Sequence, residues 1–404
     1  MEVKPGYKLT DVGVIPEDWE IKSFGELFEF RNGVNADKNA YGEGVRFINV
    51  LEPIAYSHLH GPDIPGRVSL PERIINHYAV KKGDVIFNRT SETESEIGLA
   101  ATYLDSEVVV FGGFVIRGRP IFQALDPLYS GYAFRAPFIR SQIVPMGQGA
   151  VRANIGQQSL GKVLAPIPPY EDQRAIASVL SDMDALLDGL DRLIAKKRAI
   201  KQSAMQQLLT GQTRLSGFSG VWEAKRLGDL AWIEMGQSPD SRHYNRTGDG
   251  VPLIQGNSDI DFGLTIARVW TTQVAKEGLA GDLLLTVRAP VGAVGKISEN
   301  CCLGRGVCSI RPRVDTDFLF HALVYSEPAW KSLEQGSTFT SANSKQVSSF
   351  TLLVPVDGQE QTAIAAILSD MDIEITALET RRTKIRALKQ AMMQELLTGK
   401  TRLV

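Results

Sequence analysis

Cysteine and histidine are scarce in this chain, with three of the first and five of the second among 404 residues. Cys301, Cys302 and Cys308 all fall in the second half of a sequence that otherwise repeats itself, which excludes a duplicated disulfide or zinc framework. His58, His60, His77, His243 and His321 share no repeat position, and His58 and His60, on either side of Leu59, suit a solvated pair better than a metal site. No run of eighteen apolar residues occurs, and the opening MEVKPGYKLTDVGVIPEDWE lacks the basic-then-apolar pattern of a secretory leader. A cytoplasmic protein with no membrane partner is therefore expected. An excess of one charge is missing too: 44 Lys and Arg against 46 Asp and Glu leave a formal charge of −2. Such a chain does not clamp DNA unaided through a broad basic face, so any nucleic-acid contact has to be local or shared with a partner.

The signatures of catalysis are also absent. There is no G-x-x-x-x-G-K-[ST] loop, no G-x-G-x-x-G after a strand, no H-E-x-x-H and no G-x-S-x-G. The string Ile167-Pro168-Pro169-Tyr170 resembles the Asn-Pro-Pro-Tyr loop of adenine methyltransferases, but Ile stands where the base-gripping amide has to be. Two prolines fix φ just ahead of a helix start, so the string is expected to stiffen a junction.

What the sequence does contain is a duplication. Residues 175–215 return at 363–403 with 23 of 41 positions identical and no gaps. Each copy reads as a long helix, free of proline and ended by the glycine of LLTG at Gly211 and Gly399. At roughly 1.5 Å per residue each helix should span about 55–60 Å. Ile176, Val179, Met183, Leu186, Leu190, Leu193 and Ile200 follow a 3-4 alternation broken only by Lys197, and Ile364, Ile367, Met371, Leu378, Ile385 and Leu388 form the counterpart. The spacing predicts a coiled-coil seam. Acids lead and bases trail in both copies, from Glu171 and Asp172 to Lys201 and from Glu360 to Lys389. Antiparallel pairing sets each acidic half against a basic half, and an antiparallel coiled coil with a pseudo-twofold axis follows.

The segments ahead of the helices hold short β-rich runs such as VRFINV, DVIFNR, GDLLLTVR and TLLVPV, broken by Gly, Pro and Asn turns. Trp19 answers Trp222, Gly83-Asp84 answers Gly281-Asp282, Gly147 answers Gly336, and Asn154 answers Asn343. The helices stayed alike while the globules diverged, which suits a shared scaffold and two different ligands. Residue types that read DNA cluster in two loops of each globule. One follows the Gly-Asp strand, offering Asn88, Arg89 and Thr90 in the first globule and Thr286 and Arg288 in the second. The other precedes the last strand, offering Gln148, Arg152 and Asn154 in the first and Thr340, Ser341, Asn343 and Lys345 in the second. The glycines and aspartates themselves read as β-turns feeding core strands.

Strand-rich globule, proline-bearing linker, EDQRAIA or EQTAIA, long helix and LLTG-x-TRL, all occurring twice with GDLLLTVRAPVGAVGK in the second globule, resemble the specificity subunit of a type I restriction-modification enzyme. The likeness spans essentially the whole chain. It implies an α+β fold: a first target-recognition domain over 1–168, a first spacer helix over 169–212, a second recognition domain over 213–357 and a second spacer helix over 358–404. The opening LTDVGVIPEDWE also resembles the LSGFSGVWE that follows the first helix, which implies a circular arrangement with neighbouring termini. In that family each recognition domain reads one half of a bipartite, asymmetric double-stranded DNA target, and the helices fix the gap. The resemblance further implies two methyltransferase subunits as partners, and restriction subunits in the full complex. S-adenosylmethionine, ATP and Mg are expected on those partners, with no cofactor on this non-catalytic chain. A coiled-coil adaptor with protein-binding globules and no DNA role, or a free-standing adenine methyltransferase, are the rival readings.

Overall fold

The computed structural model describes residues 4–121, 125–149, 152–330 and 341–403. The chain forms two compact units, Met1–Gly189 with Thr383–Val404, and Leu190–Arg382. The long helices, Tyr170–Leu208 and Gly358–Leu396, each contribute a segment to both. No helix among the described residues is long and apolar enough to cross a membrane.

In the first unit, five strands order as Phe28–Asn32, Val115–Pro120, Val85–Asn88, Ala100–Tyr103 and His58–Leu59. A three-stranded sheet of Val109–Phe111, Tyr41–Ile48 and Arg67–Val68 lies in the same unit. Val85–Asn88 is buried along its whole length, as a continuous apolar run covered on both faces should be. Phe24, Phe28 and Phe134 meet edge to face, with ring centroids 5.1–5.6 Å apart. Ile176, Ala177 and Leu180 of the first long helix, Leu396 at the end of the second and Leu397 just beyond it join this core.

The second unit repeats the plan. Six strands order as Ala231–Met235, Val307–Pro312, Leu283–Thr286, Val294–Lys296, Leu264–Thr265 and Ile260–Asp261, with Leu283–Thr286 again wholly buried. Its core takes Met205 and Leu208 from the first long helix and Ile364, Ala365 and Leu368 from the second. Burial pushes the Cys301 and Cys308 thiols up to about 12, so neither is a reactive thiolate. Among the described residues no group of three or more His, Cys, Asp or Glu is placed to hold a metal ion.

A glutamine ties each globule to its helix. The Gln173 carboxamide accepts from the Asp126 amide at 2.9 Å and donates to the Pro168 carbonyl at 2.9 Å. Gln361 accepts from Asp315 at 3.1 Å and donates to Pro355 at 2.8 Å. Both side chains are buried, and both tethered aspartates cap a short globule helix. The two helix ends also match. Gly211 and Gly399 both sit at φ +69°, and beyond them Arg214 pairs with Glu360, as Arg402 pairs with Asp172. In the first unit Pro16 and Trp19 close over Gly399, and the Tyr7 hydroxyl donates to the Lys400 carbonyl at 3.3 Å, which brings the two ends of the chain together as expected.

Within each unit the helices run antiparallel. Lys389 pairs with Asp184 in the first unit; in the second, Arg382 pairs with Asp191 at 2.8 Å, Lys197 with Glu374 at 2.7 Å and Lys201 with Asp372. The seam differs from the sequence expectation. Leu186, Leu193, Ile200 and Leu388 are 39%, 39%, 44% and 53% exposed, while Leu180, Leu187, Ile194 and Leu208 are buried. The contact line runs about one residue later, through Asp184 and Lys201 as well as leucines. An apolar-only reading missed it because paired charges occupy seam positions. Ile176, Leu190 and Ile364 are buried all the same, and Val179, Met183, Ile367, Met371, Leu378 and Ile385 are half-buried, because each helix also packs on its own globule.

The Tyr132 hydroxyl donates to Asp184 at 2.8 Å, and at the equivalent place His321 stands 3.0 Å from Ser369 and 3.8 Å from Asp372. Burial, reinforced by the Lys201 cation, pushes the His321 imidazole down to about 4. An unfolded histidine titrates near ~6.5, so between about pH 6.5 and 4 the unfolded chain takes up a proton that the folded chain refuses. Stability of the second unit should fall as pH is lowered through that window, by up to about 3 kcal/mol. His321→Tyr, borrowing the residue of the first unit, should flatten that slope in denaturant midpoints measured against pH. Gln173→Ala should cost about 1–3 kcal/mol by orphaning a buried donor and acceptor. Amide exchange should then rise at Asp126 and stay protected at Asp315; unchanged protection at Asp126 would make the clamp dispensable.

Candidate nucleic-acid interface

Gly83-Asp84 and Gly281-Asp282 turn the chain into the buried central strands. Asp84 accepts from the Lys81 amide at 2.8 Å and holds Arg119 through two bonds of 2.9 and 2.7 Å. Asp282 accepts from Ser309 at 2.8 Å and from Arg311 twice at 3.1 Å. The hydrogen bonds to these carboxylates hold the Arg119 and Arg311 guanidiniums above their ordinary pKa. Both aspartates are therefore structural, as the turn reading expects.

At the strand exits the backbone registers of the two units agree. The Ile155 amide donates to the Arg89 carbonyl at 3.0 Å, and the Ala342 amide to that of Val287 at 2.8 Å. Asn154 pairs with Thr90, and Ser341 bridges Arg288. Asn154 thus answers Ser341, rather than Asn343 as the sequence spacing suggested, and Thr90 answers Arg288. The two loops nominated in each half lie side by side at one place on the globule. Their separation along the chain hides this, and a strand pairing creates it.

The nominated residues divide sharply. Asn88 and Thr286 are buried and cannot reach a ligand. Asn88 donates to the Glu96 carbonyl at 3.0 Å, while the Thr286 hydroxyl donates to the Pro290 carbonyl at 2.7 Å and accepts from the Ala293 amide at 2.9 Å. They shape the loops, because the last residue of a fully buried strand points inward on either face. Asn343 caps the helix Ser344–Ser349, exchanging bonds with Gln346 at 2.9 and 3.0 Å. Arg89 is half-buried, with a bond of 3.3 Å to the Gly113 carbonyl. Half-buried Thr90 lies in the strand pair, exposed Asn154 donates to the Arg152 carbonyl at 3.0 Å, and Arg152 is paired with Glu92 at 2.8 Å. Gln148, Arg288, Ser341 and Lys345 are exposed. Thr340, like Gly336 and Ser337, lies outside the described residues.

Sequence reasoning missed Arg305, Gln255 and Asn257, which share a cleft with Arg288 in the second unit. No local motif marks them; they come from separate segments that the sheet pairing gathers. Thr286→Val should lower the stability of the second unit by about 1–2 kcal/mol in a urea titration, since two buried bonds are lost. Arg288→Ala should leave it within about 0.5 kcal/mol. Equal losses would mean that Arg288 is structural.

A family model described as the Type I restriction modification DNA specificity domain matches this chain twice, over residues 16–197 and 220–388. A putative type I restriction enzyme MjaX specificity subunit from Methanocaldococcus jannaschii is 30% identical over 413 residues, covering 98% of this chain and 96% of that protein. Among solved structures, the S subunit of a Type-I restriction-modification system from M. genitalium superposes with a TM-score of 0.62 at 16% identity, covering 98% of this chain and 99% of that one. A chain from a structure concerned with complex assembly and conformational transition of the type I R-M system also gives 0.62, at 24% identity over 96% and 99%. These structural likenesses carry the fold.

Proposed function

The chain belongs to the type I restriction-modification DNA specificity family, and from that premise we propose that each globule reads one half of a split DNA target. On this reading the chain is the non-catalytic recognition subunit of a restriction-modification complex, with DNA and the other subunits of that complex as its partners. The observation that carries it is the contrast between what the duplication kept and what it changed. The glutamine clamps, the helix-end arginines and the acid–base polarity of the helices recur at equivalent positions. The paired loops at the strand exits carry different side chains in each copy. Like helices suit two like methyltransferase subunits, and unlike loops suit two unlike half-sites. With a formal charge of −2, phosphate contacts are shared with those partners. The partners carry S-adenosylmethionine and methylate adenine N6 on a flipped base, while restriction subunits bring ATP and Mg. The long helices turn their length into the gap between half-sites.

Co-expression with the methyltransferase partner in a host free of other methylases, followed by genome-wide mapping of N6-methyladenine, tests the reading. The expected result is a split motif, two short half-sites around an unspecified gap; its absence despite an active, assembled complex would favour an adaptor. Inserting four residues between Leu209 and Gly211 should lengthen the gap and leave both half-sites intact, and an unchanged gap would refute the ruler.

A further inference from the structure

The equivalent strand exits differ in charge, and that difference bears on which bases each unit reads. In the second unit, Arg288 and Arg305 stand in one cleft with Gln255 and Asn257. All four side chains are exposed. Arg311 and Arg242 elsewhere in the unit are occupied by Asp282 and Asp240, whereas among the described residues neither Arg288 nor Arg305 has an ion-pair partner. Gly306 keeps the cleft open, since a Cβ there would overlap the Gln255 carbonyl oxygen.

Among the described residues the first unit presents no such pair of exposed, unpaired guanidiniums: Arg89 is half-buried with a bond to the Gly113 carbonyl, and Arg152 is paired with Glu92. The Val287 amide donates to the Gly306 carbonyl as the Arg89 amide does to that of Phe114, and the Gly304 amide donates to Ile254 as Gly112 does to Ile48. By these registers Phe114 replaces Gly306, Gly113 replaces Arg305, Thr90 replaces Arg288 and Asn49 replaces Gln255. Phe114 is 53% exposed, and the adjoining loop carries Glu92, Glu94 and Glu96. An unpaired guanidinium offers a planar fork that matches O6 and N7 of guanine in the major groove, and glutamine and asparagine amides match the adenine edge. Two forks beside two amides in one cleft form a base-reading set rather than a phosphate rail.

We propose that the second unit reads a guanine-containing half-site through Arg288 and Arg305, with Gln255 and Asn257 lining the neighbouring base, and that the first unit reads its half without an arginine–guanine contact at the equivalent place. This rests on the reading of the chain as a DNA specificity subunit. The test uses the assembled complex with its methyltransferase partner, with methylated motifs mapped for wild type, Arg288→Ala, Arg305→Ala and the Arg→Lys change at each. Amounts of complex are equalised by gel filtration. One half-site should contain guanine, and either alanine variant should lower discrimination at a guanine position in that half by roughly 10- to 100-fold, leaving the other half and the gap unchanged. Lysine keeps the charge without the fork and should restore only part of the discrimination. A uniform loss across all sequences, fully repaired by lysine, would make these arginines phosphate contacts and overturn the proposal, as would an affected half-site without guanine. No split motif from the wild-type complex would instead remove the DNA reading itself.

Discussion

The buried carboxamides of Gln173 and Gln361 sit where two demands meet. Each accepts from the amide of the aspartate that caps a globule helix and donates to a proline carbonyl just ahead of the long helix. These prolines lie at or just past the end of the last strand, and an unpaired buried carbonyl is costly, so a side-chain donor is supplied there. Glutamine alone among the uncharged side chains has the reach to satisfy both groups from the first turn of the helix. The clamp, the helix residues shared with each core and the Tyr132 and His321 contacts all hold the globule from its helix side, and its far side is released from that duty.

That release explains where the two copies are free to differ. Core strands keep their burial, Val85–Asn88 against Leu283–Thr286, and their turns keep a carboxylate that anchors an arginine. Beyond the strands' last residues, the loops of both copies pair through backbone bridges, which constrain the path of the chain but not the identity of its side chains. A backbone-defined platform with variable side chains is what base recognition requires, because the groove is constant and the base edges are not. The same division accounts for the junction with the helices, where Tyr132 in one copy and His321 in the other meet equivalent aspartates. Each junction also holds an imidazole that burial pushes below its ordinary pKa, His321 itself in the second copy and His58, whose ring meets Tyr132 at 4.6 Å, in the first.

Much of this was legible in the residues. The duplication, the helix ends at Gly211 and Gly399, the antiparallel pairing read from charge order and the structural role of the Gly-Asp turns follow from patterns local in sequence. The seam position was not, because Asp184 and Lys201 lie on it and a hydrophobic count passes over charges that are paired with the other helix. Nor was the inward direction of Asn88 and Thr286, which depends on both faces of their strands being covered. Arg305 and Gln255 carried no signal at all, since nothing local distinguishes an exposed arginine from one that shares a cleft with another.

By itself, the sequence determined the twofold plan, the long helices, their antiparallel sense and the family, because periodicity, charge order and repetition are properties of the chain before it folds. Tertiary structure alone decided which polar residues face outward, which loop residue answers which between the copies, and which side chains converge at the second strand exit. Those outcomes depend on strand register and two-sided burial, and both are set by segments far apart in the chain.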